Sequence, residues 1–249
     1  MAKTVVLTGA SSGIGKTLAV EFANRGYHLG LTARRLEALE SLAAQIQADH
    51  PGIQVECRSL NVNEVAQVKT VLQDIHKALG KFDIVIANAG IGGNGSIGSG
   101  KLQQDIGIIQ TNLIGAMATI DAAVEIFKQQ HSGHVVGISS VAGFRGVPGA
   151  AAYSASKAAL ATYLDALTTE LYHTPIKVTT LYPGYIDTPL NNKLKKRPFL
   201  IDVKTGARIM ANMIEKEVTE STVPVYPWSL IGRLLKNLPR SMLARKSNH

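Results

Sequence analysis

The sequence has few of the features that would tie it to an oxidising compartment, a membrane or a nucleic acid. Cys57 is the only cysteine among the 249 residues. No internal disulfide is therefore available, which fits a reducing compartment. No uninterrupted apolar run approaches the roughly 18–20 residues of a membrane span, and no apolar signal region precedes the first predicted strand. Aromatic residues make up only 5%, and no recognised nucleic-acid-binding motif accompanies the net charge of +8. These absences predict a soluble cytoplasmic protein with no metal site and no nucleic acid partner.

Apolar runs and helical patterns alternate along most of the chain. Longer amphipathic stretches such as 36–50 and 65–80 separate short β-branched runs, which begin at residues 4, 28, 53, 82, 133 and 176. Continuous apolar strands alternating with amphipathic helices are typical of a parallel sheet covered on both faces. With no linker or repeat, the sequence predicts one doubly wound α/β domain over 1–249. Within it we expect a substrate lid at 190–225 and a basic amphipathic extension at 226–249.

The first predicted strand runs into a glycine-rich turn, "VVLTGASSGIGKT" at residues 5–17. Its end, Gly15-Lys16-Thr17, has the spelling of a nucleoside triphosphate P-loop, but the first glycine of that motif would fall on Ala10. The observed Thr-Gly-x-x-x-Gly-x-Gly spacing also differs from Gly-x-Gly-x-x-Gly. It still permits a tight turn in which backbone N–H groups and a helix N-terminus meet a pyrophosphate. A turn with no ligand is the alternative.

Residues farther along decide between these interpretations. "YSASK" places Tyr153 and Lys157 four residues apart, on one face of a helix, and Ser140 lies thirteen residues before Tyr153 at the end of a strand. Together with "TGASSGIG" at 8–15, "NAG" at 88–90 and "PGYIDT" at 183–188, in that order, the chain resembles the short-chain dehydrogenase/reductase family. The resemblance covers residues 4 to about 190 and implies a Rossmann-type domain and a redox reaction.

The residue types suit proton transfer to a carbonyl oxygen. A free tyrosine has a pKa near 10, and a lysine ammonium one helical turn away favours the phenolate, so Lys157 is expected to lower the pKa of Tyr153. Ser140 is suited to binding the substrate oxygen as charge develops there, and its neighbour Ser139 is expected to be structural. The resemblance adds Asn112, which in the family holds a water that links the catalytic lysine to solvent.

The resemblance also implies which residues bind the cofactor. In the family Lys157 reaches the nicotinamide ribose, Thr188 contacts the carboxamide with Ile186 beside it, and Asn88, Ala89 and Gly90 lie along the cofactor. The full predicted set is Gly9, Ser11, Ser12, Gly13, Ile14, Gly15, Arg34, Arg35, Asn61, Val62, Asn88, Ala89, Gly90, Tyr153, Lys157, Pro183, Gly184, Ile186 and Thr188. Asn61 stands where the family commonly has an aspartate near the adenine.

The second strand predicts which dinucleotide is bound. NAD enzymes usually have an acidic residue after this strand to hold the ribose 2′-hydroxyl, whereas this chain has Arg34 and Arg35. A guanidinium group binds a 2′-phosphate that a carboxylate would repel, so we expect NADP(H). The alternative is a pair of solvated arginines at a helix start.

The sequence leaves the substrate and some partners open. "LNNKLKKRPFLI" at 190–201 mixes apolar and basic residues, which favours a lipophilic carbonyl or secondary alcohol as substrate. From Tyr226 onward the chain holds Arg233, Lys236, Arg240, Arg245 and Lys246 and no acidic residue, with apolar residues at helical spacing and an end expected near Pro239. This segment is expected either to lie weakly on a membrane surface or to pack on the pocket or a partner subunit.

The resemblance implies a homodimer or homotetramer. A non-catalytic dinucleotide sensor or scaffold, and a nucleic-acid-binding module, remain alternative functions.

Overall fold

The computed structural model describes residues 2–194, 196–237 and 239. Within these, seven strands form one sheet in the order β3-β2-β1-β4-β5-β6-β7, and each neighbouring pair is parallel. The strands are β1 (Thr4–Thr8), β2 (His28–Ala33), β3 (Val55–Ser59), β4 (Ile84–Ala87), β5 (Gly133–Ile138), β6 (Ile176–Pro183) and β7 (Glu220–Val223). The predicted single doubly wound domain is therefore confirmed.

Helices cover both faces of this sheet. They are α1 (Gly13–Asn24), α2 (Leu36–Asp49), α3 (Val65–Leu79), α4 (Leu102–Ile109), α5 (Gly115–Gln130), α6 (Ala151–Glu170), α7 (Val203–Glu215) and α8 (Trp228–Asn237). One buried cluster joins the sheet to α1, α2 and α7, with Phe22 and Met210 fully buried in it. A second cluster on the other face joins the sheet to α3, α5 and α6, where Phe127 and Leu164 are fully buried.

The segment at 190–225 differs from its predicted role. It contains α7 and β7, and Met210, Ile214 and Val223 are fully buried in the core. A lid cannot include core elements, so only residues 190–202, before α7, remain as a candidate lid. The segment at 226–249 begins with α8, as expected from its amphipathic spacing. The expected helix end near Pro239 is close to the end of α8 at Asn237, whereas Lys195, Arg240, Arg245 and Lys246 lie outside the described residues.

The central helix is long and apolar. A five-residue π-helical turn, Gln110–Ile114, joins α4 to α5, so the helix runs without a break over Leu102–Gln130. By length and hydropathy it is the one helix of the described residues that could cross a membrane. Its Ala123 and Phe127 are fully buried against the sheet, which identifies it as a core helix of the domain.

The strand order reverses between β1 and β4. In parallel sheets such a reversal opens a crevice beyond the carboxyl ends of the strands, because the connections leave in opposite directions. The turns after β1, β2, β3, β4, β5 and β6 meet at this edge. The residues predicted to be functional lie in these turns or in the helices that follow them.

Candidate active site

The turn after β1 requires glycine at two positions. Gly9 has a positive φ of 70°, and a Cβ atom there would lie 2.8 Å from the Cα of Ala89. A Cβ on Gly15 would lie 2.5 Å from both Asn88 Nδ2 and the Gly9 carbonyl oxygen. The turn consequently passes very close to the end of β4 and presents the N-terminus of α1, whose first turn carries no acidic residue. This arrangement fits a bound pyrophosphate.

Thr8 and Asn88 fix the turn to its neighbour strand. The Asn88 side chain donates hydrogen bonds to the carbonyl oxygens of Thr8, at 2.9 Å, and Gly9, at 3.3 Å. The Thr8 hydroxyl oxygen accepts from the backbone N–H groups of Asn88, at 3.1 Å, and Ala89, at 3.2 Å. Asn88 therefore shapes the turn through its side chain, a role that the motif alone did not reveal.

One cavity of about 370 Å³ lies at the carboxyl edge of the sheet. Every residue predicted to bind cofactor lines it, as do Ser140 and, beyond the prediction, Leu60, Asn63, Ile91, Pro189, Leu190 and Asn191. Among the predicted catalytic residues only Asn112 is absent from its wall. The structure thus brings the separate motifs of the sequence together around one space.

Ser140 and Tyr153 meet inside this cavity. Ser140 follows β5 and begins a short 3₁₀ turn, where its Oγ accepts from the Ala142 N–H at 3.1 Å and donates to the Pro183 carbonyl at 3.3 Å. The Tyr153 hydroxyl is hydrogen-bonded to Ser140. The neighbouring Ser139 hydroxyl donates to the Lys157 carbonyl at 2.8 Å, which is the structural role expected for it.

Lys157 lies one turn farther along α6 with its ammonium group in the interior. Its Nζ donates to the Ile138 carbonyl at 2.7 Å and lies 5.9 Å from the centre of the Tyr153 ring. Burial lowers the pKa of Lys157 to about 8, because a buried ammonium loses hydration.

The pKa of Tyr153 is raised above its usual value, mainly because the phenol is buried; its hydrogen bond with Ser140 acts in the opposite direction, and nearby Tyr185 raises the pKa further. The expected lowering of this pKa by Lys157 stays a prediction. Tyr153 is held as the neutral phenol, the form that donates a proton.

Asn112 lies in the π-helical turn behind the cavity and is fully buried. Its Oδ1 accepts from the Ile91 N–H at 2.7 Å, while its Nδ2 donates to the Ile91 carbonyl at 2.9 Å and to Ser156 Oγ at 3.2 Å. A Cβ on Gly90 would lie 3.3 Å from Asn112 Oδ1 and 3.6 Å from Lys157 Nζ, so the two polar groups flank the same small space. A π turn often marks a functional site because it redirects one side chain within a helix.

Two arginines lie at the far end of the cavity. Arg34 and Arg35 are both exposed and line the cavity, and Arg35 Nη2 donates to Ser11 Oγ in the glycine-rich turn at 3.2 Å. Cationic groups are therefore present beside the turn that follows β1. The described side chains that line this end of the cavity include no carboxylate.

Helix α8 packs beside the cavity at Gly184, away from the two arginines. The Trp228 ring lies 5.9 Å from that of Tyr185 and 5.8 Å from that of Phe199, measured between centroids. A Cβ on Gly184, which lines the cavity, would lie 2.1 Å from Trp228 Nε1. That indole nitrogen is buried with no hydrogen-bond partner in the described part of the chain. We refer to this packing of Trp228 on Gly184, Tyr185 and Phe199 as the indole joint.

The strand order and the cavity at the reversal point are those of a Rossmann-type domain. The sequence profile of the short chain dehydrogenase family matches residues 3–198, and the chain belongs to that family. It is 40% identical over 242 residues, covering 97% of this chain and 96% of the relative, to an uncharacterised oxidoreductase of Mycobacterium tuberculosis.

Two solved structures show the same fold. One is an alcohol dehydrogenase from the archaeon Thermococcus sibiricus complexed with 5-hydroxy-NADP, at TM-score 0.81, 25% identity and coverage of 89% of this chain and 96% of that one. The other is a short-chain dehydrogenase/reductase from Burkholderia phymatum in complex with NAD, at TM-score 0.86, 21% identity and coverage of 100% and 97%. The chain is thus an oxidoreductase of this family.

Sequence reasoning missed several residues of the site. Thr8 and Ser156 are inside quoted motifs, but their hydrogen bonds depend on contacts between segments far apart in the chain. Tyr185 lies in the "PGYIDT" motif and affects Tyr153 only through space. No local signal places Trp228 against Gly184, because the two are brought together by the packing of α8.

Proposed function

We propose that the protein is an NADP(H)-dependent oxidoreductase that interconverts a carbonyl group and a secondary alcohol. The observation that carries this proposal is the pairing of the Tyr153 phenol with Ser140 in a cavity shared with the glycine-rich turn. A redox sensor or scaffold needs a dinucleotide site but no buried proton donor. The arrangement therefore favours an enzyme.

Each residue has a separate task in the proposed reaction. When bound, the reduced nicotinamide supplies the hydride that reaches the carbonyl carbon. Ser140 hydrogen-bonds the carbonyl oxygen and holds it near Tyr153, and the neutral Tyr153 phenol donates its proton to that oxygen. Its raised pKa suits the reductive direction, because it keeps the phenol protonated at neutral pH. Lys157 and Asn112 complete the proposed relay that returns the proton.

The choice of NADP(H) rests on charge at the cavity end. The 2′-phosphate would be bound by Arg34 and Arg35, with Ser11 close to the Arg35 guanidinium. Paired N–H donors of arginine match phosphate oxygens, and no carboxylate among the described cavity residues opposes them.

The proposed substrate is lipophilic. Leu190 lines the cavity and is about half exposed, and the aromatic rings of Tyr185, Phe199 and Trp228 follow at the same end. The proposal includes a homodimer or homotetramer in the cytoplasm, with the α8 side of the molecule able to meet a membrane surface.

The test is a panel of ketones, aldehydes and secondary alcohols followed by NADPH absorbance, run in parallel on wild type, Tyr153→Phe and Lys157→Ala. We expect wild type to turn over at least one compound. Tyr153→Phe should lower turnover by at least about a hundredfold, in line with the usual contribution of a general acid. That variant should bind NADPH nearly as well as wild type. Lys157→Ala should also weaken NADPH binding. A Tyr153→Phe protein that keeps more than about a tenth of wild-type activity would exclude the proton-donor role. NADPH binding without turnover of any compound would favour the sensor.

A further inference from the structure

Helix α8 has a second apolar face that the fold does not use. Its inner face is packed, with Trp228 in the indole joint and Gly232 against the Phe144 ring. Leu230 and Leu234 lie on the outer face and are 53% and 60% exposed, and Tyr226, four residues before Leu230, is 74% exposed. A spacing of four places Leu230 and Leu234 on one side of the helix, and the exposed Tyr226 lies in the turn just before it. We refer to these three exposed residues as a ridge directed at solvent.

The ridge continues into the candidate lid. Phe199 and Leu200 are 55% and 40% exposed, and Phe199 contacts Trp228 at the indole joint. We call the combined surface of Val225, Tyr226, Leu230, Leu234, Phe199 and Leu200 the apolar rim. It lies at the carboxyl edge of the sheet, on the side of the cavity that Gly184 and Leu190 line.

Basic residues are close to the apolar rim along the chain. The chain from Tyr226 to its end carries five arginines and lysines and no acidic residue. In the lid, Lys193 and Lys196 are exposed and make no ion pair with a described residue, while Arg197 is paired with Asp187. An apolar surface beside the exposed Lys193 and Lys196, in a chain whose last residues add only positive charge, fits a partner that is both apolar and anionic.

We infer that the apolar rim docks on the surface of an anionic lipid membrane, with the cavity mouth facing the lipid. A second copy of the chain is a poorer occupant, because a two-fold contact would place the same basic segment against itself. A soft lipid interface, by contrast, accepts exposed leucine and tyrosine side chains beside basic groups.

Vesicle binding of the full chain tests this inference. The probes are phosphatidylcholine vesicles and mixed phosphatidylcholine–phosphatidylserine vesicles, each at low and high salt, with binding measured by co-sedimentation. Wild type should bind the anionic vesicles, and salt should weaken this binding because it screens the lipid charge. The double variant Leu230→Ser/Leu234→Ser should lower the partition coefficient by about tenfold or more, given the apolar area that its two leucines expose.

A matched pair of tyrosines separates the apolar rim from general stickiness. Tyr172 is 77% exposed but lies just before β6, at the opposite edge of the sheet from Tyr226. Tyr226→Ser should weaken vesicle binding and Tyr172→Ser should not, with NADPH binding retained in both as a check of folding.

Three outcomes would overturn the inference. The first is that wild type stays in the supernatant with anionic vesicles at low salt. The second is that Tyr226→Ser and Tyr172→Ser lose vesicle binding equally. The third is that the oligomer of Leu230→Ser/Leu234→Ser dissociates in analytical ultracentrifugation. The last would assign the apolar rim to a subunit interface. None of these measurements requires turnover, so their failure would leave the proposed reaction untouched.

Discussion

Cofactor preference should depend on Arg34 and Arg35. The Arg35 guanidinium lies 3.2 Å from Ser11 Oγ at the glycine-rich turn, and both arginines line the cavity. A hydrogen bond to a charged group contributes about 1.5–3 kcal/mol, or roughly tenfold to more than a hundredfold in affinity. Because both side chains are exposed and screened by salt, the lower end of this range applies. We expect Arg35→Ala to weaken NADPH binding about tenfold while NADH binding changes little.

Calorimetric titration of each cofactor measures this effect directly. Arg34→Asp, which adds a carboxylate beside the proposed phosphate position, should narrow or reverse the preference for NADPH. Arg58→Ala is the matched control, since Arg58 is an arginine of the adjacent strand β3 that pairs with Glu56 and does not line the cavity. Equal affinity of wild type for NADPH and NADH would refute the reasoning, as would a loss in Arg58→Ala as large as that in Arg35→Ala.

Two further predictions concern stability and the indole joint. Burial, with a smaller effect of Lys177, lowers the pKa of His134 from 6.5 to about 4. The neutral imidazole therefore stabilises the fold above pH 6.5, and this contribution of about 3 kcal/mol is lost as the pH falls towards 4. Urea unfolding at pH 7.5 and pH 5 should show a smaller loss of unfolding free energy for His134→Gln than for wild type, and identical losses would disprove the assignment. Gly184→Ala should weaken both stability and NADPH binding, because the added Cβ would lie 2.1 Å from Trp228 Nε1. Trp228→Ala should then lower the unfolding free energy less in the Gly184→Ala background than in wild type. Strictly additive losses of unfolding free energy would count against the contact.

The sequence predicted the strands that are buried on both faces. β1 and β4 consist mainly of valine, isoleucine and leucine, and β5 has a Val-Val pair and an isoleucine between glycines and a histidine; these strands are buried almost throughout. It did not predict β7, "ESTV", in which only Thr222 and Val223 are buried. A four-residue edge strand with three polar residues has too little apolar pattern to stand out.

The part of the site that depends on local sequence spacing was predictable. The spacing indicates a tight turn at the glycines, and it places the tyrosine and the lysine one helical turn apart on the same face of a helix. The direction of the Tyr153 pKa was not predictable in this way, because it depends on how deeply tertiary packing buries the phenol and the lysine. The indole joint was also out of reach, since it depends on how α8 folds back onto the end of β6.

Trp228 is the only tryptophan of the chain. Its ring lies between the cavity wall at Gly184 and the candidate lid at Phe199. When tryptophan is excited selectively, the intrinsic fluorescence of the protein therefore comes from that one place. Arrival of a dinucleotide, closure of the lid and contact of α8 with lipid would each change the surroundings of this single emitter. The wild-type protein therefore carries a built-in fluorescent reporter at the point where the proposed cofactor and substrate sites meet the apolar rim, and needs no attached label to follow binding there in time.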